Sequence, residues 1–493
     1  MIGLIREKLH SGRDQSLLLA LVVINALVYW LVMVVPAKLV DYYDRPGADG
    51  YYLAEAGPQS NSRLILAFLI LSLLYGMGWL VAQQAKGRAA WAVVLGGSVV
   101  FGGILLFMQP IDAADVYDYI IQGRILGVYG LNPYTTSPSQ FPTDPFHNYA
   151  AWRNEPATYG PVWTSLSGLA AALAGDGIIA NVLLFKLLAG SFLMAGLLVV
   201  AAILRRAAPD TALPRTLLLA WNPVVLYSIW GNSHNDSVMV FFILAAAWAI
   251  CERRYTLAIL ALVAGALVKF IPILLLPAAG LIALRELPDW RARLRFVAIT
   301  GLLAALLFVL FYAPFWGGTE SFTLTRRARL FTSSIPAVIY YSFRPELGEK
   351  MVANIVNYSA LFLTASFAIW QGVRALRNRN WDSFHQASFN ILAFYLLATN
   401  PWFQQWYTVW LISLAPLLLS GRSVVLALIF GFTALSKQLV AGPLLFWPRP
   451  KLPQPALEIQ LTLIVLGLTW LYALSLLVHN ARAAVRSVLR RET

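Results

Sequence analysis

Gln109-Pro-Ile-Asp112-Ala-Ala-Asp115-Val-Tyr-Asp118-Tyr-Ile-Ile-Gln-Gly-Arg124-Ile-Leu-Gly-Val-Tyr-Gly-Leu-Asn132-Pro-Tyr134 follows an apolar run that ends near Met108. Acids, tyrosines and an arginine are packed against the end of a bilayer-length hydrophobic stretch, so polar chemistry is expected at the rim of a membrane. Most of the remaining chain is compatible with hydrocarbon. Of its 493 residues 59% are hydrophobic and 12% charged, with a mean hydropathy of +0.67. Soluble domains have roughly 45–50% apolar and about 25% charged residues. The expected class is therefore an all-α polytopic membrane protein.

Apolar runs divided at charges and prolines predict fourteen spans, at 16–38, 63–83, 89–108, 177–204, 214–231, 236–251, 255–268, 271–284, 296–315, 351–373, 386–400, 405–420, 423–440 and 457–479. Threading them alternately collects most of the basic residues on one side, as the positive-inside rule requires. Both termini are then expected in the cytoplasm of a cell with this protein in its inner (plasma) membrane. The first run, which follows Arg6, Lys8 and Arg13, is read as a retained helix. The short runs around Lys269-Phe-Ile-Pro272 predict a helical hairpin, because proline cannot donate within a helix and a lysine is costly in hydrocarbon. The whole chain, 1–493, is read as one transmembrane domain. Its large extracytoplasmic segments are 109–176, carrying the catalytic stretch, and 316–350, with interfacial helices expected in such loops.

The net charge of +14 does not imply a nucleic-acid partner, because the basic residues form short clusters between apolar runs rather than a basic face. One cysteine, Cys251, excludes an intramolecular disulfide. No internal repeat is visible, which weighs against transporters built from duplicated halves.

Asp112, Asp115 and Asp118 are spaced three apart and would share one helical face, where crowding raises carboxylate pKa values and suits a proton acceptor. The bland alternative is an amphipathic interfacial helix whose acids face water. Glu155-Pro-Ala-Thr-Tyr159-Gly-Pro-Val-Trp163 offers rings for stacking on a sugar, or for an aromatic belt. Trp230-Gly-Asn-Ser233-His234-Asn235-Asp236 either caps the following helix or supplies His234 and Asp236 to orient an acceptor or bind a divalent ion. No second histidine or acidic pair stands at ligand spacing, so no metal site is assigned and only a divalent cation remains open as cofactor. Arg326, Arg327 and Arg329 cluster where few cations belong, a shape suited to phosphate or to anionic lipid heads. Lys269 is either a further phosphate contact or a snorkelling lysine. Asn400-Pro-Trp402-Phe-Gln-Gln405-Trp-Tyr407 lines a sugar pocket or an interfacial girdle.

The order Asp115-Val-Tyr-Asp-Tyr, Gly130-Leu-Asn-Pro-Tyr, Tyr159-Gly-Pro-Val-Trp, Trp221-Asn-Pro, His234-Asn-Asp and Pro401-Trp-Phe-Gln-Gln-Trp-Tyr resembles the GT-C superfamily of integral membrane glycosyltransferases. It is most similar to bacterial polyprenyl-phosphate-mannose-dependent mannosyltransferases. The resemblance, over roughly 16–440, implies the GT-C fold, a polyprenyl-phosphate sugar donor and a glycan or glycolipid acceptor. It further implies an extracytoplasmic site among membrane lipids, and an acid in an early outer loop as base. By motif position that acid is Asp115, with Asp112 or His234 orienting it or the acceptor. Many GT-C enzymes place the acid just after their first helix, so Asp44 and Asp49 remain rivals. Arg124, Asn132, Tyr134, Tyr159, Asp236, Lys269, Arg326, Arg327, Arg329, Trp402 and Gln405 are the expected substrate ligands. Transfer from a phosphate ester needs a base for the acceptor proton and cations for the departing phosphate, and a single base implies inversion. The rival class is a polytopic transporter or lipid flippase, which would place ionisable groups nearer the bilayer midplane. A scaffold for envelope assembly, the third reading, would transfer nothing.

Overall fold

The computed structural model describes residues 2–43, 57–318, 321, 329–441 and 452–492, and every regular element in them is helical. In order these are α1 (Ile2–Val28), α2 (Leu39–Tyr43), α3 (Gly57–Ala82), α4 (Gly87–Leu105), α5 (Asp115–Gly127), α6 (Pro161–Ala174), α7 (Ile178–Ala207), α8 (Ala212–Ala220), α9 (Pro223–Leu226) and α10 (Asp236–Cys251). There follow α11 (Tyr255–Ala266), α12 (Leu276–Glu286), α13 (Trp290–Tyr312), α14 (Ile335–Leu347), α15 (Glu349–Arg377), α16 (Ser383–Phe394), α17 (Thr408–Leu414), α18 (Gly421–Ala434) and α19 (Gln454–Glu492).

Eight helices among the described residues are long and apolar enough to cross a membrane: Gly12–Ala37, Asn61–Ala82, Gly87–Leu105, Ile178–Ala207, Trp290–Phe315, Glu349–Arg377, Gly421–Val440 and Gln454–His479. Each overlaps a predicted span. The other six predicted spans are built from shorter pieces, so fourteen is not reached by long helices. The run 214–231, for example, is α8, a break at Trp221-Asn222, then α9 and a π-helical turn at Tyr227–Gly231. Prolines set several of the breaks: Pro223 opens α9, Pro272 lies in a 3-10 turn and Pro416 follows α17.

The long and short helices occupy different places. Only 6% of the apolar window of α13 is buried within the protein, whereas every residue of α9 and α17 is buried. An apolar helix with so little protein around it is stable in lipid and not in water. Broken, non-helical backbone is tolerated at such depth only inside protein or beside a cavity, and that is where the short elements lie. The chain is a multi-pass membrane protein, with the broken helical stretches at α9 and α17 in its interior.

The loop 109–176 is more ordered than a connector. It folds back as α5 on α6, with glycines at the contact. A Cβ on Gly123 would lie 2.4 Å from the Ser167 carbonyl oxygen, and one on Gly127 would lie 2.1 Å from that of Gly168. The expected hairpin at Lys269 is present: α11 and α12 reverse there, so Tyr255 and Arg285 at their far ends line one cavity. In the loop 316–350, α14 is a separate helix capped by Ser334, whose side chain accepts from the Ala337 N–H at 3.1 Å.

Candidate active site

The segment after α4 is held straight by partners on every side. Leu39 N–H donates to Phe107 O at 2.9 Å and Gln109 N–H to Ala37 O at 2.7 Å. Lys186, buried in α7, donates to the carbonyls of Leu105 (3.0 Å), Leu106 (3.3 Å) and Met108. These are among the last carbonyls of α4 and its exit, of which Leu105 O also accepts from Met108 N–H at 3.1 Å. Asn232 Oδ1 accepts from Ile111 and Asp112 N–H, both at 2.8 Å, and Gln438 donates to Ile111 O at 3.0 Å. Asp112 therefore precedes α5, which starts at Asp115. The expected sharing of one face by Asp112, Asp115 and Asp118 does not occur, because Pro110 and the Asn232 clamp keep the first acid out of the helix. Asp118 turns away and accepts from Trp152 N–H at 2.9 Å.

Asp112 and Asp115 meet at a single imidazole. His234 Nε2 is 3.3 Å from Asp112 Oδ2, while its Nδ1 is 3.9 Å from Asp115 Oδ2 and has no hydrogen bond among the described residues. The Asp112 and His234 side chains are wholly buried, and that of Asp115 is 21% exposed. Asp112 Oδ1 accepts from the amide of Gln405. The imidazole stacks on Trp406, centroids 3.9 Å apart and 13° from parallel. Asp115 Oδ2 accepts longer bonds from the hydroxyls of Tyr119 (3.3 Å) and Tyr159 (3.5 Å). Burial, then the neighbouring Tyr159, Asp115 and Asp236, pushes the Tyr119 pKa well above that of an ordinary tyrosine. Tyr119 thus remains a neutral donor.

The turn that carries His234 is strained. Ser233 has φ +62°, a region unfavourable for a side-chain-bearing residue. Capping does not explain the cluster, since Asn235 precedes α10 without a side-chain cap bond. Asp236, the next acid, is fully buried and doubly held, by Lys269 Nζ at 2.6 Å and by Trp410 Nε1 at 2.6 Å. The Lys269 ammonium also lies 5.3 Å from the Tyr159 ring centroid and 5.4 Å from that of Tyr407. Tyr159 thereby touches both the carboxylate of Asp115 and the cation. Its position is fixed by backbone: Gly160 N–H donates to Val268 O at 2.9 Å and Val162 N–H to Leu267 O at 3.0 Å.

Of the residues expected at the site, the structure brings together Asp112, Asp115, His234, Asp236, Lys269, Tyr159 and Gln405. Trp402 flanks them, 5.9 Å from the ammonium of Lys437. Three others do structural work elsewhere. Arg124 is buried between Asp144 and Asp176, 2.7 Å from each, and donates to Gly175 O. Asn132 donates to Phe315 O at 2.9 Å and accepts from Tyr134 N–H. The hydroxyl of Tyr134 donates to Tyr159 O at 2.8 Å, beneath the site. Arg329 is exposed, just before Thr332, which pairs with Pro401 and Phe403 through backbone bonds. Arg326, Arg327, Asp44 and Asp49 lie outside the described residues. Among the described residues no group of three His, Cys, Asp or Glu side chains is arranged to hold a metal ion.

Sequence reasoning offered Trp406 only as one ring of the 400–407 stretch, and gave no role to Trp410, Asn232 or Lys437. The ammonium of Lys437 donates to Phe403 O and is within electrostatic reach of Asp112 and Glu458. A lysine inside the apolar run 423–440 was the available signal, since such residues are rare in hydrocarbon without a function. The loop 400–407 is the hub that joins them: Gln405 holds Asp112, Trp406 supports His234, Tyr407 faces Lys269 and Phe403 accepts from Lys437.

Comparison with known proteins points to one family. A model described as alpha-(1->6)-mannopyranosyltransferase, N-terminal domain, matches residues 46–285, just under half of the chain. Alpha-(1->6)-mannopyranosyltransferase A of Corynebacterium glutamicum is 29% identical over 160 residues, 31% of this chain and 31% of its own length. The protein of the same name from Mycobacterium tuberculosis is 26% identical over 209 residues, 42% of this chain and 40% of its own length. Alpha-(1->6)-mannopyranosyltransferase B of Corynebacterium glutamicum is 21% identical over 186 residues, 37% and 30% of the two lengths. The chain thus aligns with about a third of these relatives. The matched segment contains Asp112, Asp115, Tyr159, His234, Asp236 and Lys269, and stops before the 400–407 loop. The resemblance to membrane mannosyltransferases read from the sequence is upheld over that stretch.

Proposed function

We propose, from its kinship with alpha-(1->6)-mannopyranosyltransferases over residues 46–285, that this chain is an inverting GT-C mannosyltransferase using a polyprenyl-phosphate donor and a glycan or glycolipid acceptor. The observation that carries the reading is the joining of Asp112, His234 and Asp115 beside the Asp236–Lys269 pair. An acceptor oxygen set to one side of the 3.9 Å line from His234 Nδ1 to Asp115 Oδ2 would be within hydrogen-bonding reach of both. Its proton passes to Asp115 as the oxygen attacks the anomeric carbon. The bond from that carbon to the phosphate oxygen breaks, and its electron pair leaves with polyprenyl phosphate. One base and one displacement give inversion, so a β-linked donor yields an α-mannoside.

Asp112, held between Gln405 and His234, fixes the ring, as a buried carboxylate does for a catalytic imidazole. Lys269 offers positive charge for the departing phosphate, with the Tyr159 and Tyr407 rings holding the ammonium in place. Arg326, Arg327 and Arg329 remain candidates for the same task. We place the site on the extracytoplasmic side of the plasma membrane, with both termini in the cytoplasm, as the distribution of basic residues favours.

The test is transfer by purified protein from polyprenyl-phosphate mannose to an oligomannoside acceptor. Mannose-dependent release of polyprenyl phosphate with an α-linked product supports the reading. Transport of the intact lipid without cleavage would support the flippase instead.

A further inference from the structure

A cavity of about 250 Å³ lies at the far end of α10 from His234. α10 begins with Asp236 at the site and ends with Cys251 on the cavity wall, about 24 Å away at 1.5 Å per residue. α11 starts from the cavity at Tyr255 and leads to Lys269, and α12 returns to the cavity at Arg285. At roughly 30 Å³ per water the space equals about eight waters, enough for a phosphate ester.

Its charge is unbalanced. Arg206, Arg253, Arg285 and Arg379 line it against two acids, Glu252 and Glu286. Both acids are already matched, Glu252 by Arg206 at 2.5 Å and Glu286 by Arg285 at 2.8 Å. Arg285 also donates to the carbonyls of Ala375, Leu376 and Asn378, which closes the end of α15. Arg253 and Arg379 enter none of the ion pairs among the described residues.

Arg253 carries a second signal. Its φ is +57°, a left-handed conformation that disfavours an L residue and that glycine adopts freely. A guanidinium kept at such a turn, facing a cavity with an excess of cations, points to a use for the side chain. The rest of the wall is largely apolar and aromatic, with Trp248, Trp381 and Ile282 beside the polar Asn380 and Ser383, and it is reached where α7 leaves its long apolar run.

We propose that this cavity binds a phosphate group, presented by an anionic lipid headgroup, between the guanidinium groups of Arg253 and Arg379. A guanidinium fork matches phosphate oxygens and keeps its charge, and the apolar wall suits the lipid's glycerol and upper acyl carbons. The site is separate from the transfer chemistry and does not depend on the reading of the far end.

Native mass spectrometry of the delipidated full chain, titrated with phosphatidylglycerol, tests it. One lipid should bind at least tenfold more tightly to the wild type than to the R253G/R379Q variant, with phosphatidylcholine discriminating far less. R253G removes the side chain while relaxing the backbone, and an unchanged melting temperature without lipid shows that the fold survives. Displacement of phosphatidylglycerol by sodium phosphate supports the phosphate as the recognised group. Arginine-dependent binding of phosphate with no preference for phosphatidylglycerol overturns the headgroup assignment in favour of a soluble phosphate compound. Equal binding of both probes to wild type and variant overturns the site altogether.

Discussion

His234 lies flat on Trp406, with centroids 3.9 Å apart and planes within 13°, and the same imidazole bridges Asp112 and Asp115. The stacking sets the plane of the ring, with Nε2 3.3 Å from Asp112 and Nδ1 turned toward Asp115 at 3.9 Å. The aromatic loop at 400–407 packs into the protein interior, with Trp406 and Tyr407 buried, where a girdle at the membrane surface would face lipid.

Replacement of Asp115 by Asn should lower kcat by about 10²–10⁴, the usual contribution of a positioned base. Folding should be unaffected, since among the described residues the side chain accepts two long hydroxyl bonds, at 3.3 and 3.5 Å, and lies 3.9 Å from His234. Turnover with polyprenyl-phosphate mannose and the melting temperature in detergent are the two measurements. Unchanged turnover would move the base to Asp112, Asp44 or Asp49.

Trp406→Leu removes the stacking surface under His234. Aromatic pairs contribute about 0.5–1.5 kcal/mol beyond their buried area, so a loss of up to about tenfold in kcat is expected. Trp406→Phe should recover most of it. A parallel change in the pH profile of kcat would separate a loosened imidazole from a general loss of packing.

Asp236→Asn leaves the Lys269 ammonium without its carboxylate in a largely buried place, where its side chain is 9% exposed. Breaking a buried pair from one side costs about 3–5 kcal/mol, and removing both charges costs much less. The double variant Asp236→Asn, Lys269→Met should thus melt closer to wild type than Asp236→Asn alone, yet stay inactive. Activity in the double variant would remove Lys269 from the phosphate site.

Gly127→Ala places a methyl group 2.1 Å from the Gly168 carbonyl oxygen, and the α5–α6 pair must separate. Overpacking of this kind costs about 1–3 kcal/mol and should displace Asp115, which begins α5. Gly76→Ala, with open space around its Cβ, should be neutral or slightly stabilising. Thermal melting of both variants in one detergent checks the contrast.

Several parts of this architecture were legible from residue order. Runs of apolar residues set all eight long helices, and the proline and lysine at 269–272 marked the hairpin. The grouping of Asp115, His234 and Lys269 at polar interruptions was also readable, because an ionisable group near hydrocarbon must be placed where it can be solvated or paired. The ion pairs of Arg124, expected as a ligand, with Asp144 and Asp176 were not legible, because no sequence spacing links the three. Lys437 was passed over inside an apolar run.

Sequence by itself determined the solvent of this protein and the positions of its long helices, since both follow from local hydropathy, which every short window carries. Tertiary structure decided which polar residues meet. Asp112 is joined to His234 and Gln405 across distant parts of the chain, through contacts set by where broken helices pack and which backbone groups they leave to be satisfied. No local pattern encodes such a meeting, because it depends on the shape of the interior that all the helices make together.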